Sequence, residues 1–146
     1  MQELRQAHPR RQGDIGEAAA IAWLTRAGFA VWVPLGHSPD ADLIAERDRQ
    51  LSRVQVKTST ALRNGRYEVS LATKGGNRSW SGRVKVIDPS RYDYLFVLVA
   101  DGRQWFIPAA VVEARTMVLL GGPKYAAFEV EGGTAATMGE RGFEPL

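Results

Sequence analysis

Two hydrophobic periods divide this chain. Over residues 14–27, Ile15, Ala18, Ala19, Ala22 and Leu24 recur at helical spacing, which predicts a helix with one apolar stripe and Gly28 as its stop. Asp14 stands where a cap is expected. The pattern then changes to short alternating or unbroken apolar runs. Residues 29–33 predict a strand ended by Pro34, and residues 36–39 a loop. Residues 41–45 and 51–58 predict two more strands, and the short polar stretch between them predicts an antiparallel hairpin. Residues 67–71 alternate and predict a fourth strand. Residues 73–82 are polar, with Gly75-Gly76 and a lone Trp80, and predict a flexible loop. Residues 94–100 are apolar and β-branched, as a buried strand requires. Asp101-Gly102 turns that strand into a partner at 104–107. Residues 108–114 predict a short helix opened by Pro108, and residues 132–146 a loose tail with little to bury.

A helix, a run of strands and a small helix together predict a mixed α/β or α+β class, with helices flanking a central mixed sheet. One domain over residues 1–131 is expected at this length. There is no internal repeat, and no Gly-x-Gly-x-x-Gly follows the first strand, which argues against a single Rossmann unit.

Composition narrows the function classes. The 146 residues are 45% hydrophobic and 24% charged, ordinary for a globular protein with a real core. The absence of cysteine removes disulfides, zinc–cysteine sites and thiol catalysis. No apolar run approaches the roughly 18 residues of a membrane span. The first twelve residues are polar and lack a signal-peptide core, so the cytoplasm is the expected location. The net charge of +3 is unevenly spread. Residues 57–91 hold eight basic and two acidic side chains, whereas residues 92–146 hold four basic and seven acidic. A basic central third predicts a polyanion-binding face.

The candidate chemistry lies between residues 39 and 57. Asp40 and Asp42 lead into the apolar run Leu43-Ile44-Ala45, and Val54-Gln55-Val56-Lys57 follows on the next strand. Alternation puts Gln55 and Lys57 on one face and Val54 and Val56 on the other. A hairpin brings Asp42 level with Gln55 and Lys57, which gathers a carboxylate, an amide oxygen and an ammonium. Mg²⁺ takes oxygen ligands, so Asp42, the Gln55 amide and the Val56 carbonyl are candidate ligands, with Mn²⁺ able to substitute. Lys57 is placed to orient water or phosphate and to stabilise developing charge. Glu17 is the candidate third ligand, on a helix whose small residues permit close approach to the sheet. Asp14 is the alternative. The set suffices for metal-dependent phosphodiester hydrolysis.

These residues resemble the PD-(D/E)XK nuclease superfamily: a helix-borne Glu (Glu17), an Asp entering the second strand (Asp42) and a motif strand ending in Lys57. The chain departs from the usual pattern at Gln55, where an acid is typical. That departure resembles the group I intron-encoded homing endonucleases with a restriction-enzyme fold and their bacterial relatives. In that group the strand reads Gln-Val-Lys-Thr, as Gln55-Val56-Lys57-Thr58 does here. Gly16-Glu17, Asp42-Leu43-Ile44 and the stretch from Tyr92-Asp93-Tyr94 to Phe106-Ile107-Pro108 extend the resemblance over roughly residues 13–110. It implies a restriction-endonuclease-like core, a DNA substrate and a homing or restriction-like role. The wider superfamily equally allows a repair nuclease or Holliday-junction resolvase. Asp40, which follows Pro39 as in the superfamily name, is the second choice for the strand acid.

Arg63, Arg66, Lys74, Arg78, Arg83 and Lys85 are the expected backbone contacts to DNA, with Trp80 among them as a base-stacking or groove-contacting candidate. His37 precedes the acidic strand and is a second-choice phosphate contact. Trp32 and Trp105 are expected in the core. One such site cuts one strand, so double-strand cleavage predicts a homo-oligomer, a dimer or tetramer. The competing readings are a catalytically silent nucleic-acid-binding module, kept open by the neutral Gln55, and a protein-interaction domain whose basic face is incidental.

Overall fold

Pro9 opens the main helix of the protein, six residues before the apolar stripe begins. In the computed structural model, which describes residues 2–38, 41–74, 84–85 and 87–131, a short helix α1 (Gln2–Gln6) precedes α2 (Pro9–Arg26). Proline fits the first turn because that N–H has no intrahelical partner, and His8 caps the turn by accepting the Arg10 N–H at Nδ1 (3.4 Å). Gly28, at φ 93°, ends the helical segment in a conformation that favours glycine. Asp14 therefore lies inside α2 rather than capping it. A cap at Asp14 was the reading that ignored Pro9, and the polar stretch 9–13 is helical because its side chains face water.

The strands follow in order: β1 (Ala30–Trp32), β2 (Leu43–Arg47), β3 (Gln50–Ser59), β4 (Leu62–Arg63), β5 (Arg66–Ser70), β6 (Thr73–Lys74), β7 (Val84–Lys85), β8 (Tyr94–Val99), β9 (Gln104–Pro108), β10 (Met117–Leu120) and β11 (Glu129–Val130). The main sheet is ordered β1-β2-β3-β8-β9-β11, antiparallel except for the central parallel pair β3–β8. A second sheet, β10-β5-β4, is antiparallel.

Alternation along β8 divides the core in two. Tyr94, Phe96 and Leu98 face α2 and join Leu4, Ala20, Trp23, Leu24, Leu43, Val54 and Phe106. Leu95, Val97 and Val99 face the other way and join Tyr67, Val69, Trp105, Ile107, Val118 and Leu120 beneath the second sheet. Every residue of β8 is buried, as a central strand covered on both faces requires.

The predicted hairpin of β2 and β3 is tight. Asp48 and Arg49 form its two-residue turn, both in the left-handed region (φ 50° and 65°), the geometry that Asn-Gly adopts with least strain. Arg49→Gly removes the Cβ penalty at the cost of added chain entropy. It is expected to raise stability by about 0.5–1 kcal/mol, read as a higher urea midpoint with an unchanged m value.

Several expectations change. Trp32 is 58% exposed rather than core: β1 is the outer edge strand, and Trp32 has no second layer to meet there. It donates its indole N–H to Glu46 instead (Nε1–Oε2 2.8 Å). Residues 73–82 are not wholly a loop, because Thr73–Lys74 pairs antiparallel with Val84–Lys85. The helix expected at 108–114 is one 3-10 turn, Ala109–Val111. Strand β10, a second 3-10 turn (Ala126–Phe128) and β11 lie in a stretch where no element was predicted. The tail at 132–146 lies outside the described residues.

Candidate active site

The β2–β3 ladder stops at the pair Leu43–Val54, and the site begins one step beyond it. Asp42 is a bend residue just ahead of β2, not a strand residue as expected, and its backbone N–H donates to the Val54 carbonyl (3.0 Å). The next outward donor of β3, the Val56 N–H, finds no β2 carbonyl. The Asp42 carboxylate accepts it instead (Oδ2–N 2.8 Å). One carboxylate oxygen thus ends the ladder, and the other keeps its lone pairs. The N–H and C=O of a strand residue point to the same edge, so the Val56 carbonyl lies on the Asp42 side of β3.

Gln55 stands across from Asp42, half-buried, and Lys57 lies two residues further on the same face. In the parallel pairing Gln55 is beside Leu95 and Lys57 beside Val97, both wholly buried. Lys57 therefore enters the site along the apolar margin of the second core. Burial pushes its ammonium pKa down, and the Asp42 charge pulls it back up.

Glu17 comes from α2. Its neighbour Gly16 is buried against β3, and a Cβ built there would lie 2.5 Å from Thr58 Cγ2 and 3.3 Å from Val56 Cγ1. The helix can lie this close only because residue 16 has no side chain. Burial first, then the charges of Asp42 and Asp14, raise the Glu17 pKa above its ordinary 4.5. Asp42, at the open end of the β2–β3 ladder, is thus within electrostatic reach of Glu17 and of Lys57, and the register sets Gln55 across from it. Among the described residues no three or more His, Cys, Asp or Glu side chains gather as a metal cluster. The oxygen donors are two carboxylates, one amide and one backbone carbonyl, a set that fits a hard dication.

Glu17 has a raised folded pKa, so its contribution to stability is fully present below pH 4.5 and is lost as pH rises through the folded value. Glu17→Gln is therefore expected to resist urea better than wild type at pH 7. The two midpoints should converge below pH 4.5. Equal midpoints at pH 7 would show that the Glu17 carboxylate bears no such cost.

The other candidates are more dispersed. His37 stays exposed in the connection before Asp42. Arg63 is exposed and pairs with Glu68 (3.4 Å), and Arg66 packs beside Gly122. Lys74 and Lys85 belong to the paired strands β6 and β7. Asp40, Arg78, Trp80 and Arg83 lie outside the described residues. Sequence reasoning missed the Asp42–Val56 bond and the Gly16–Thr58 contact. The signal for the second was a glycine in the middle of a helix, where it normally costs about 1 kcal/mol.

Among the described residues no helix is long and apolar enough to cross a membrane. A protein-family model described as PD-(D/E)XK endonuclease matches residues 7–124. No curated protein sequence matches the chain. Among solved structures, the fold is similar to a bacterial homing endonuclease, I-Ssp6803I, with a TM-score of 0.64 and 23% identity, over 84% of this chain and 87% of that one. It is also similar to Hjc, a Holliday junction resolvase from the archaeal hyperthermophile Archaeoglobus fulgidus. That match has a TM-score of 0.54 and 17% identity, over 82% of this chain and 91% of that one.

Proposed function

This chain belongs to the PD-(D/E)XK endonuclease family, and on that premise we propose that it is a Mg²⁺-dependent endodeoxyribonuclease with a homing or restriction-like role. The observation that carries the reading is the meeting of Glu17, Asp42 and Lys57 in one electrostatic neighbourhood, with Gln55 facing Asp42. Glu17 and Asp42 would hold the cation, helped by the Gln55 amide oxygen and the Val56 carbonyl, and Mn²⁺ would substitute. When bound, the cation supplies Lewis acidity toward the phosphate and lowers the pKa of water at the site. Lys57 donates hydrogen bonds to the scissile phosphate or to the attacking water and stabilises the charge that develops. The Asp42 charge pulls the Lys57 pKa upward against the desolvation that lowers it.

DNA follows from the family and from the basic central third of the chain. Arg63, Arg66, Lys74, Arg78, Arg83 and Lys85 would contact its backbone, with Trp80 on bases or groove. Double-strand cleavage calls for a dimer or tetramer, in keeping with one site per strand cut. A cytoplasmic setting goes with this reading.

The neutral Gln55 favours one competing reading, a silent DNA-binding module on the same fold, because the site holds one carboxylate fewer than the usual pattern. The test is cleavage of supercoiled plasmid and of a four-way junction with Mg²⁺ or Mn²⁺. Nicking or linearisation that EDTA abolishes supports the nuclease. Preference for the junction would move the role from restriction-like to resolvase-like. Salt-sensitive binding without cutting, across a library of target sequences, would overturn the catalytic reading.

A further inference from the structure

The strand Gln55-Val56-Lys57-Thr58 has two faces, and only one of them carries chemistry. Gln55 and Lys57 face the site. Val56 and Thr58 face α2, where they meet Gly16 so closely that a Cβ at residue 16 would stand 2.5 Å from the Thr58 methyl and 3.3 Å from Val56 Cγ1. Gly16 is buried and sits in mid-helix, a position that ordinarily disfavours glycine. The next residue is Glu17, whose carboxyl already senses the Asp42 charge.

We propose that the missing side chain at Gly16, over the Thr58 methyl, sets how close α2 lies to β3, so that Gly16 is a positioning residue for the Glu17 carboxylate. The inference rests on the nuclease reading, since it assigns Glu17 to the metal. The contact is one of backbone with methyl. A Cβ on residue 16 lifts the helix from the strand and moves Glu17 away from Asp42, while the rest of the site stays on β2 and β3. Removal of the Thr58 methyl makes room for that Cβ, because the next atoms lie at 3.3 Å and 4.0 Å. The defect of Gly16→Ala is therefore reversible by a smaller residue across the contact.

The experiment is a cycle of wild type, Gly16→Ala, Thr58→Ser and the double variant, each full-length. It is read by Mn²⁺ binding without DNA, by urea unfolding and by plasmid cleavage. Gly16→Ala is expected to weaken Mn²⁺ binding about 10–100-fold, as loss of an orienting contact does. Thr58→Ser should change it little, and the double variant should return to within a few-fold of wild type. Should Gly16→Ala fail to fold, the double variant still has to fold and bind Mn²⁺. A folded Gly16→Ala that binds Mn²⁺ like wild type overturns the proposal, as does a double variant no better than Gly16→Ala. Recovery of the urea midpoint without recovery of Mn²⁺ binding makes the contact structural only and also overturns it. A wild-type protein that neither binds Mn²⁺ nor cuts overturns the nuclease reading and Glu17's role together, while the unfolding cycle separately reports the contact.

Discussion

With Lys57 replaced by alanine, cleavage is expected to fall by about 10²–10³-fold while the protein becomes harder to unfold at neutral pH. The two effects share a cause. Lys57 runs along the buried row Leu95 and Val97, where desolvation works against its charge. A folded-state pKa held below the ordinary 10.5 contributes stability above that pH and loses it as pH falls through the folded value. At pH 7 the native protein therefore bears the charged form at a cost, which removal of the ammonium relieves. A surface lysine with no role would give neither result. Asp42→Asn is the matching change on the other strand. Its amide oxygen can still accept the Val56 N–H, so the ladder end survives, while the anionic ligand is lost. Cleavage should fall by a similar factor, with the urea midpoint close to wild type. Asp42→Ala would confound the two, because it leaves the Val56 N–H without its acceptor at about 1–3 kcal/mol. Initial cleavage rates and urea curves on the same preparations check both variants. An active Lys57→Ala enzyme would remove Lys57 from the mechanism.

The largest stability effect is expected at Phe106, two strands from Val56 in the main sheet and on its α2 face. Its ring stacks on Tyr94 (4.3 Å between centroids, 11° between planes), lies 4.8 Å from Trp23 of α2 and meets Phe29 edge-on at 6.2 Å. Phe106 is thus the point where β9, β8, α2 and the segment after α2 converge. Phe106→Ala should lose about 3–5 kcal/mol through lost burial and the cavity left behind. That is a fifth or more of the roughly 5–15 kcal/mol that holds a typical domain together. Urea unfolding followed by tryptophan fluorescence measures it, since Trp23 reports directly on this cluster. A loss under about 1 kcal/mol would mean that the neighbours collapse into the space. Phe106→Leu, which keeps most of the apolar volume, should recover a large part of the loss.

The sequence was most legible where local rules act. The hairpin of β2 and β3 was visible because two apolar runs flank a few polar residues, and the alternation Val54-Gln55-Val56-Lys57 placed each side chain on its correct face. Asp42, Gln55 and Lys57 could be set side by side because strand alternation determines which side chains share a face, whereas Glu17, on a helix, has no such local rule to place it. Legibility failed where tertiary context decides. Trp32 looked like core because it sits in an apolar run, but an edge strand exposes one side of every residue. Asp14 looked like a cap because polar residues precede it, yet a helix tolerates a polar first turn and Pro9 was the better signal. Strand β10, with Val118 and Leu120 inward and Met117 and Leu119 outward, did alternate. It was missed because four residues next to Gly121-Gly122 give too short a period to separate from a loop.

The single parallel pairing in the main sheet also divides the candidate site by distance along the chain. Asp42, Gln55 and the Val56 N–H are joined by a two-residue turn, so this half of the site needs only local contacts to form. The surroundings of Lys57 depend on β8, which is separated from β3 along the chain by β4 to β7, and closing so long a connection carries a larger entropic cost. A chain with this hairpin formed and β8 undocked has Asp42 and Gln55 in place but lacks the apolar row of Leu95 and Val97, so Lys57 is there an ordinary, water-exposed ammonium. The hairpin half of the candidate site is thus local in the chain, whereas the desolvation of Lys57 is a long-range property of the sheet.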